Sequence, residues 1–189
     1  MISAILLAAG ESQRMNGENK LAKKINGIPL IKHSVKNILE SSIDELIIVL
    51  GHQDKIIKNI INKNKKIKFI FNDRYKSGMA SSIKTGLKNL SSKTQYFFIC
   101  MGDMPMVNKK TYNQIILKSK NKEIVVPAYK NQQGNPVLFS ISMKKKIMDI
   151  EGDIGAKKII EKNKDKVLIF KINDQGIVKN YNTLESFIN

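Results

Sequence analysis

The sequence alternates between short apolar runs of strand length and longer runs whose apolar residues recur at helical spacing. The strand-like runs, such as residues 3–8 and 45–50, are continuously apolar after their first residues, Ser3 and Glu45, which is typical of strands that are buried on both faces. Residues 29–41 lie between these two runs and place their apolar side chains on one helical face. This alternation predicts an α/β fold with a parallel, helix-covered sheet.

The pattern continues along the whole chain, so we predict one domain over residues 1–189, without a linker or an internal repeat. Further strands are predicted at residues 67–71, 96–101, 124–127, 136–140 and 167–172. Further helices are predicted at residues 79–90, 111–118, 142–149, 154–162 and 183–188, and around an apolar stripe of Ile56, Ile57, Ile60 and Ile61.

Composition excludes several classes of protein. No apolar run reaches the roughly 18 residues of a spanning helix, and the apolar N-terminus lacks the basic residues of a signal peptide. One cysteine, Cys100, excludes an internal disulfide framework and a cysteine-based zinc site. We therefore expect a soluble, cytoplasmic protein that does not bind membranes.

The chain is strongly basic, with a formal net charge of +17. Such a charge is compatible with nucleic-acid binding, but all basic residues except Arg14 and Arg74 are lysines, and they are spread through the chain. Base recognition favours the planar fork of arginine. We therefore expect a lysine-rich solvated surface and no nucleic-acid partner.

Ligands of parallel α/β sheets bind beyond the carboxyl ends of the strands, where this sequence has three unusual segments. The first, LAAGESQRMNGENKL at residues 7–21, matches neither a dinucleotide fingerprint nor a Walker P-loop. Its small residues allow backbone amides to approach a ligand, and its two cations suit a triphosphate. Its candidate ligand-binding residues are Leu7, Ala8, Ala9, Gly10, Ser12, Arg14 and Lys20.

The other two segments follow later strands. In GMASSIKTG, Gly78 allows a tight turn, and Ser81 and Ser82 begin a helix whose amides and dipole could face an anion; ordinary helix capping is the alternative. In ICMGDMP, Asp103 follows an apolar strand. A carboxylate in that place is suited to hold Mg²⁺, although a turn aspartate is the other interpretation.

Taken in order, LAAG-x-S-x-R-M-x-G-x-N-K-L, G-M-x-x-S, G-D-M-P, G-N-P-V-L-F and G-D-x-G-A resemble the molybdenum cofactor nucleotidyltransferases, more closely the cytidylyltransferase branch. The resemblance covers nearly the whole chain. It implies a Rossmann-like, mostly parallel sheet of the GT-A type in a three-layer α/β/α sandwich. It also implies an enzyme that transfers CMP from CTP to a molybdopterin-type cofactor and releases pyrophosphate.

The resemblance assigns roles to individual residues. Arg14, Lys20 and Asp103 are the implied catalytic residues, with Asp103 and Asn182 as ligands of Mg²⁺. Gly134, Asn135 and Asp153 fall in motifs of the acceptor side. The implied nucleotide-binding residues are Leu7, Ala8, Ala9, Gly10, Ser12, Arg14, Lys20, Gly78, Ser81 and Ser82.

Two features bear on the choice of nucleotide. Family members that use GTP tend to have Gly-Gly where this chain has Ala9 and Gly10, so the Ala9 methyl favours cytosine. The C-terminal pattern, usually acidic, contains Asn180 and Asn182, as in the guanylyl branch. The alternatives are therefore GTP as the nucleotide, a sugar phosphate as the acceptor, and, more remotely, a non-catalytic role in handling the cofactor. The implied protein partner is a molybdenum hydroxylase or its maturation chaperone, and we expect a monomer or weak oligomer.

Overall fold

In a computed structural model of the protein, the described residues are 1–12, 18–152, 155 and 157–181. They form an eight-stranded sheet and a separate two-stranded hairpin. The strands are β1 (Ile2–Ala8), β2 (Lys24–Ile25), β3 (Ile28–Pro29), β4 (Glu45–Leu50), β5 (Ile67–Phe71), β6 (Tyr96–Met101), β7 (Ile124–Tyr129), β8 (Gln132–Gln133), β9 (Val137–Ser140) and β10 (Val167–Lys171). The α-helices are α1 (Leu30–Leu39), α2 (Asp54–Ile60), α3 (Met79–Lys88), α4 (Lys109–Leu117), α5 (Lys144–Met148) and α6 (Lys157–Lys162).

Strand β1 lies between β6 and β4 in the large sheet, whose order is β10-β7-β9-β6-β1-β4-β5, with β8 paired to β7. Strand β1 is parallel to both of its neighbours, and Leu7 lies opposite Val49 of β4 and Met101 of β6. Strands β1, β4, β5 and β6 therefore all end at the same edge of the sheet. The segments that follow them meet there.

Helices cover both faces of the sheet, and each face has its own apolar core. Because neighbouring side chains of a strand point to opposite faces, Leu6 joins the core under α1, α2 and α4, whereas Ile5 joins the core under α3, α5 and α6. The predicted three-layer α/β/α arrangement is therefore confirmed. No helix among the described residues is long and apolar enough to cross a membrane.

One predicted strand runs against the rest of the sheet. Strand β9, expected at residues 136–140, is antiparallel to both β6 and β7. The chain reverses just before it, in the β7–β8 hairpin, where Lys130 and Asn131 both have positive φ (45° and 66°). Two such residues form the tight hairpin turn that matches strand twist, but Lys-Asn is a weak sequence signal for it.

Smaller differences concern exposure and short elements. The β2–β3 hairpin was not predicted, since each of its strands has only two residues. In the predicted stripe of α2, Ile57 and Ile61 are buried but Ile56 is 43% exposed, because the short helix contacts the core along a narrower face. The helix predicted at residues 183–188 lies outside the described residues.

Candidate functional site

A cavity of about 670 Å³ opens at the carboxyl edge of the central strands. All three segments singled out in the sequence contribute to its walls. It is lined by residues 7–12, 20–21 and 75–79, and by Ser82, Met101 and Asp103. The sheet topology explains why the three segments lie together, since they follow β1, β5 and β6, which end at the same edge of the sheet.

The loop after β1 is fixed to its surroundings by backbone hydrogen bonds. The Gly102 amide donates to the Leu7 carbonyl (3.1 Å), and the His52 amide donates to the Ala9 carbonyl (3.2 Å). Ala9 itself is 4% exposed and lines the cavity. A larger side chain at the neighbouring Gly51 is excluded, because a Cβ there would lie 2.8 Å from the Ala9 carbonyl oxygen.

Ser12 joins the two ends of the first motif. It has a positive φ of 54°, and its hydroxyl oxygen accepts a hydrogen bond from the Lys20 amide (3.1 Å). The predicted hydroxyl is therefore in place beside the cavity, where it also anchors the start of the Lys20–Ala22 turn. Arg14, the other cation of the motif, lies outside the described residues.

Lys20 and Asp103 form an ion pair across the cavity wall. The Lys20 Nζ lies 2.6 Å from the Asp103 Oδ2, and the two side chains are 21% and 9% exposed. The backbone of Asp103 is fixed as well, because its carbonyl accepts from the Tyr181 amide (2.9 Å). The structure thus brings together a predicted phosphate-binding cation and a predicted metal-binding carboxylate.

The residues present fit a magnesium ion that arrives with a nucleotide. Among the described residues, no three His, Cys, Asp or Glu side chains cluster as a preformed metal site. Magnesium is commonly held by one or two carboxylates, with substrate phosphates and water completing its shell. Asp103, at the cavity wall, can supply one such carboxylate. Asn182, the other predicted ligand, lies outside the described residues.

The second segment contains the expected turn, but the start of α3 differs from the prediction. Gly78 has a φ of 100°, a conformation that favours glycine. Two amides at this helix start, those of Ala80 and Ser81, are not available to an anion, because the Ala80 amide donates to the Gly152 carbonyl (3.1 Å) and the Ser81 amide to the Gly78 carbonyl (3.2 Å). The prediction that these amides face a ligand is therefore wrong.

The two serines of this helix face different surroundings. Ser82 is 5% exposed and lines the cavity. The Ser81 hydroxyl instead donates to the carbonyls of Gly78 (2.8 Å) and Arg74 (2.9 Å) and does not line the cavity. The buried amide of Asn72 donates to both serine hydroxyls.

The predicted acceptor-side residues Gly134 and Asn135 do not line the cavity. They pack against the short helix Gln175–Val178, where the Asn135 amide donates to the Ile177 carbonyl (2.8 Å). A Cβ on Gly134 would lie 2.3 Å from that carbonyl oxygen. The local geometry thus gives Gly134 a packing role.

Asp153 lies outside the described residues, but two glycines of its motif lie beside the start of the GMASSIKTG segment. The Gly152 carbonyl accepts from the Ala80 amide, and Gly155 approaches the Met79 sulfur, which would lie 3.0 Å from a Cβ at that position. Met79 also lines the cavity. The G-D-x-G-A motif therefore begins beside the cavity.

Several cavity residues were missed in the sequence, among them Glu11, Tyr75 and Lys76. Tyr75 packs beneath Gly51, whose Cβ would lie 2.6 Å from the Tyr75 Cβ. Lys76 is exposed beside Gly78 and adds a cation to the cavity rim. Its signal was hidden because lysine is common throughout this sequence.

Cys100 offers no nucleophile to this site. It is 1% exposed, and burial raises the pKa of its thiol to about 12, although a hydrogen bond with Tyr112 acts in the opposite direction. The thiolate is the reactive form of cysteine, so a thiol with this pKa is inert at neutral pH.

Comparisons with known proteins agree with this arrangement. Residues 4–167 match the family described as "MobA-like NTP transferase domain". A probable molybdenum cofactor guanylyltransferase of Methanosarcina acetivorans is 27% identical over 154 residues, covering 79% of this chain and 67% of the relative. Another from Thermococcus sibiricus is 31% identical over 136 residues, covering 70% and 65%. The bifunctional protein GlmU of Acetivibrio thermocellus is 27% identical over 164 residues, covering 85% of this chain but only 33% of GlmU.

Solved structures share the fold. The protein Rv0371c of Mycobacterium tuberculosis H37Rv superposes with a TM-score of 0.88 at 21% identity, covering 99% of this chain and 95% of the other. A nucleotidyl transferase from Methanothermobacter thermautotroptrophicus gives a TM-score of 0.86 at 19% identity, covering 100% and 94%. The family match includes all the cavity segments, and the chain belongs to the MobA-like NTP transferase family.

Proposed function

We propose that this nucleotidyltransferase transfers CMP from CTP to the terminal phosphate of a molybdopterin-type cofactor and releases pyrophosphate. The observation that carries the proposal is the Lys20–Asp103 pair on the wall of a cavity that also contains the small-residue loop after β1. A cation, a carboxylate and closely approaching backbone are the groups that a triphosphate with a divalent ion needs.

The reaction needs no nucleophilic side chain. The acceptor's phosphate is already an anion at neutral pH, and one of its oxygens forms a bond to the α-phosphorus of the nucleotide. The bond from that phosphorus to the bridging oxygen of the β-phosphate breaks, and pyrophosphate leaves with the electron pair. Positioning and charge stabilisation supply most of the catalysis in such transfers.

The chain's own residues then divide the work by charge. Lys20 and Arg14 bind the triphosphate and stabilise the negative charge that builds up on the leaving group. Asp103 holds Mg²⁺, which when bound neutralises phosphate oxygens. Ser12 keeps the Lys20 backbone beside the loop that cradles the nucleotide.

The base preference rests on Ala9. Its buried methyl group narrows the cavity wall relative to glycine, which supports the smaller cytosine. GMP transfer from GTP is the second candidate, because relatives from Methanosarcina and Thermococcus are named molybdenum cofactor guanylyltransferases. Asn180 and Asn182 in the C-terminal pattern also support it.

The proposal also includes a site for the acceptor. Asp153 belongs to a motif that begins beside the cavity, through Gly152 and Gly155, which supports a role next to the nucleotide. The similarity to GlmU keeps a sugar phosphate as an alternative acceptor. A molybdenum hydroxylase or its chaperone would then receive the product.

Pyrophosphate release tests the reaction directly. The purified protein is incubated with Mg²⁺, each nucleoside triphosphate in turn, and either molybdopterin, a sugar phosphate or no acceptor, and Asp103→Asn serves as the impaired control. Release with CTP that requires molybdopterin supports the proposal. Release with GTP and not with CTP would favour the second candidate, GMP transfer. Release only with a sugar phosphate as acceptor would contradict the assignment of a molybdopterin-type acceptor.

A further inference from the structure

A buried asparagine connects the end of β5 to the serines of α3. Asn72 is 2% exposed, and its Nδ2 donates hydrogen bonds to the hydroxyl oxygens of Ser81 (2.8 Å) and Ser82 (3.0 Å). The amide cannot rotate freely, because its Oδ1 accepts from the Arg74 backbone amide (3.1 Å). Asn72 therefore presents donors, and not an acceptor, to both serines.

The two serines differ in where their own hydroxyl hydrogens go. Ser81 donates to the carbonyls of Gly78 and Arg74. Ser82 accepts from Asn72, but no residue in the described part of the chain accepts its hydrogen. Ser82 is 5% exposed and lines the cavity. The Ser82 hydroxyl hydrogen is therefore available to an acceptor atom of a ligand in the cavity.

The position of Ser82 in the cavity indicates which part of a nucleotide it meets. Asp103 follows β6, and Asn72 follows β5. These strands are three steps apart in the order β6-β1-β4-β5, or about 14 Å at the usual spacing of neighbouring strands. The Lys20–Asp103 pair marks the phosphate end of the cavity, so the opposite end, near Asn72, is left for the base.

We propose that Asn72 is a positioning residue for base recognition, which holds the Ser82 hydroxyl as a hydrogen-bond donor to an acceptor atom on the edge of the nucleobase. The inference rests on the proposed function, since it requires a nucleotide in this cavity. Asn72 does not touch the ligand; it acts by occupying a lone pair of the Ser82 oxygen, which turns the hydroxyl hydrogen toward the cavity.

Calorimetric titration of the purified protein with CTP and with GTP, each with Mg²⁺, tests the inference. Ser82→Ala should weaken binding of the better nucleotide about 5- to 10-fold, the usual effect of one hydrogen bond, and Ser82→Thr should restore it. Ser41→Ala is the matched control, because it removes a buried serine hydroxyl outside the cavity, where Ser41 donates to the Ile38 carbonyl (2.6 Å). It should change the Kd less than twofold.

Two Asn72 variants test the positioning step. In Asn72→Asp, a carboxylate accepts from Ser82 and turns its hydrogen away from the cavity, whereas Asn72→Ala removes the donor and still tests the step if the buried carboxylate impairs folding. Either change should weaken binding about as much as Ser82→Ala. Combined with Ser82→Ala, either should add little further loss, which a general loss of packing would not reproduce.

Ribose 5-triphosphate, which lacks a base, locates the contact. Its inhibition constant in competition with the nucleotide should be the same for wild type and Ser82→Ala. Equal weakening of both ligands would overturn the assignment to the base. Nucleotide binding that is unaffected by Ser82→Ala would overturn this inference alone, whereas a wild-type protein that binds neither CTP nor GTP would overturn the proposed function with it.

Discussion

The Nζ of Lys20 lies 2.6 Å from the Oδ2 of Asp103, although 83 residues separate them in the chain. The pair links the loop after β1 to the loop after β6, which are neighbours because β1 and β6 are paired in parallel. Before a nucleotide binds, each residue neutralises the charge of the other. Triphosphate and metal must therefore compete with an existing contact.

Asp103→Asn should separate binding from turnover. The amide keeps the size of the side chain but loses the charge that Mg²⁺ requires, so we expect turnover to fall at least about 100-fold. Nucleotide binding without Mg²⁺ should not weaken, because the Asp103 carboxylate no longer competes with the triphosphate for Lys20. Steady-state pyrophosphate release and metal-free titration measure the two effects.

Partial recovery of Asp103→Asn at high Mg²⁺ is also expected, because the site is weakened and not deleted. The melting temperature serves as the folding control. Turnover within a few-fold of wild type at all Mg²⁺ concentrations would remove Asp103 from the metal site and direct attention to Asn182.

Ala9→Gly should shift the nucleotide preference toward GTP. Removing one methyl group from a cavity wall changes selectivity by roughly 1 kcal/mol, or about fivefold. Competitive turnover with CTP and GTP measures the ratio. Ala4→Gly is the control, since Ala4 is buried in β1, the strand that leads to Ala9, but does not line the cavity. A similar shift in that variant would show that the effect comes from β1 flexibility.

Two glycine substitutions should affect different properties, one the stability of the protein and the other its binding of the nucleotide. Gly134→Ala should lower the free energy of unfolding by about 1–3 kcal/mol, because its Cβ would lie 2.3 Å from the Ile177 carbonyl oxygen. Gly10→Ala should leave stability nearly unchanged, since no atom lies within 4 Å of its Cβ position, but should weaken nucleotide binding at the cavity wall. Denaturant unfolding and nucleotide titration distinguish them, and a stable Gly134→Ala variant with impaired acceptor use would restore the original acceptor-side interpretation.

Glu45 should make stability depend on pH in the acidic range. Burial alone raises the pKa of its carboxyl, but hydrogen bonds from Lys68 (2.5 Å), Ser3 (2.9 Å) and Ser91 (3.3 Å) outweigh this effect and hold the pKa below its ordinary value of 4.5. A lowered pKa contributes stability above the ordinary value, and that contribution is lost as the pH falls through the folded-state pKa.

Glu45→Gln should therefore cost about 1–3 kcal/mol at pH 7. Its difference from wild type should shrink as the pH falls below the ordinary pKa of 4.5 and through the lower folded-state pKa. Urea unfolding at several pH values measures both. Glu40→Gln, at an exposed ion pair with Lys109, should differ from wild type by less than about 1 kcal/mol. A pH-independent difference for Glu45→Gln would contradict the lowered pKa.

Three strands could be predicted well from the sequence because short runs rich in apolar residues mark them. Predicted bounds of 45–50, 67–71 and 96–101 match β4, β5 and β6. The direction of β9 could not be predicted in this way, since an apolar run carries no information on whether its neighbours are parallel. The reversal depends on Lys130 and Asn131, whose positive φ values are not typical of lysine.

The candidate site was predictable where a strand is followed at once by a loop with unusual residues. Asp103 and the small residues after β1 belong to this group, because parallel strands bring their carboxyl ends to one edge. Asn72 was missed because nothing in its sequence neighbourhood indicates that its amide reaches two serines nine and ten residues later. The occupied amides of α3 were missed because the carbonyl that accepts from Ala80 belongs to Gly152, far along the chain.

The bond from the Ala80 amide to the Gly152 carbonyl joins the helix that carries Ser82 to the motif that contains Asp153. Under the proposed function, one substrate contacts the helix and the other contacts the motif. A ligand that shifts either element then alters the affinity of the second substrate, and thermodynamic linkage requires the effect to be equal in both directions. Binding of the two substrates should therefore be coupled, so that the dissociation constant for the nucleotide changes as the acceptor concentration rises.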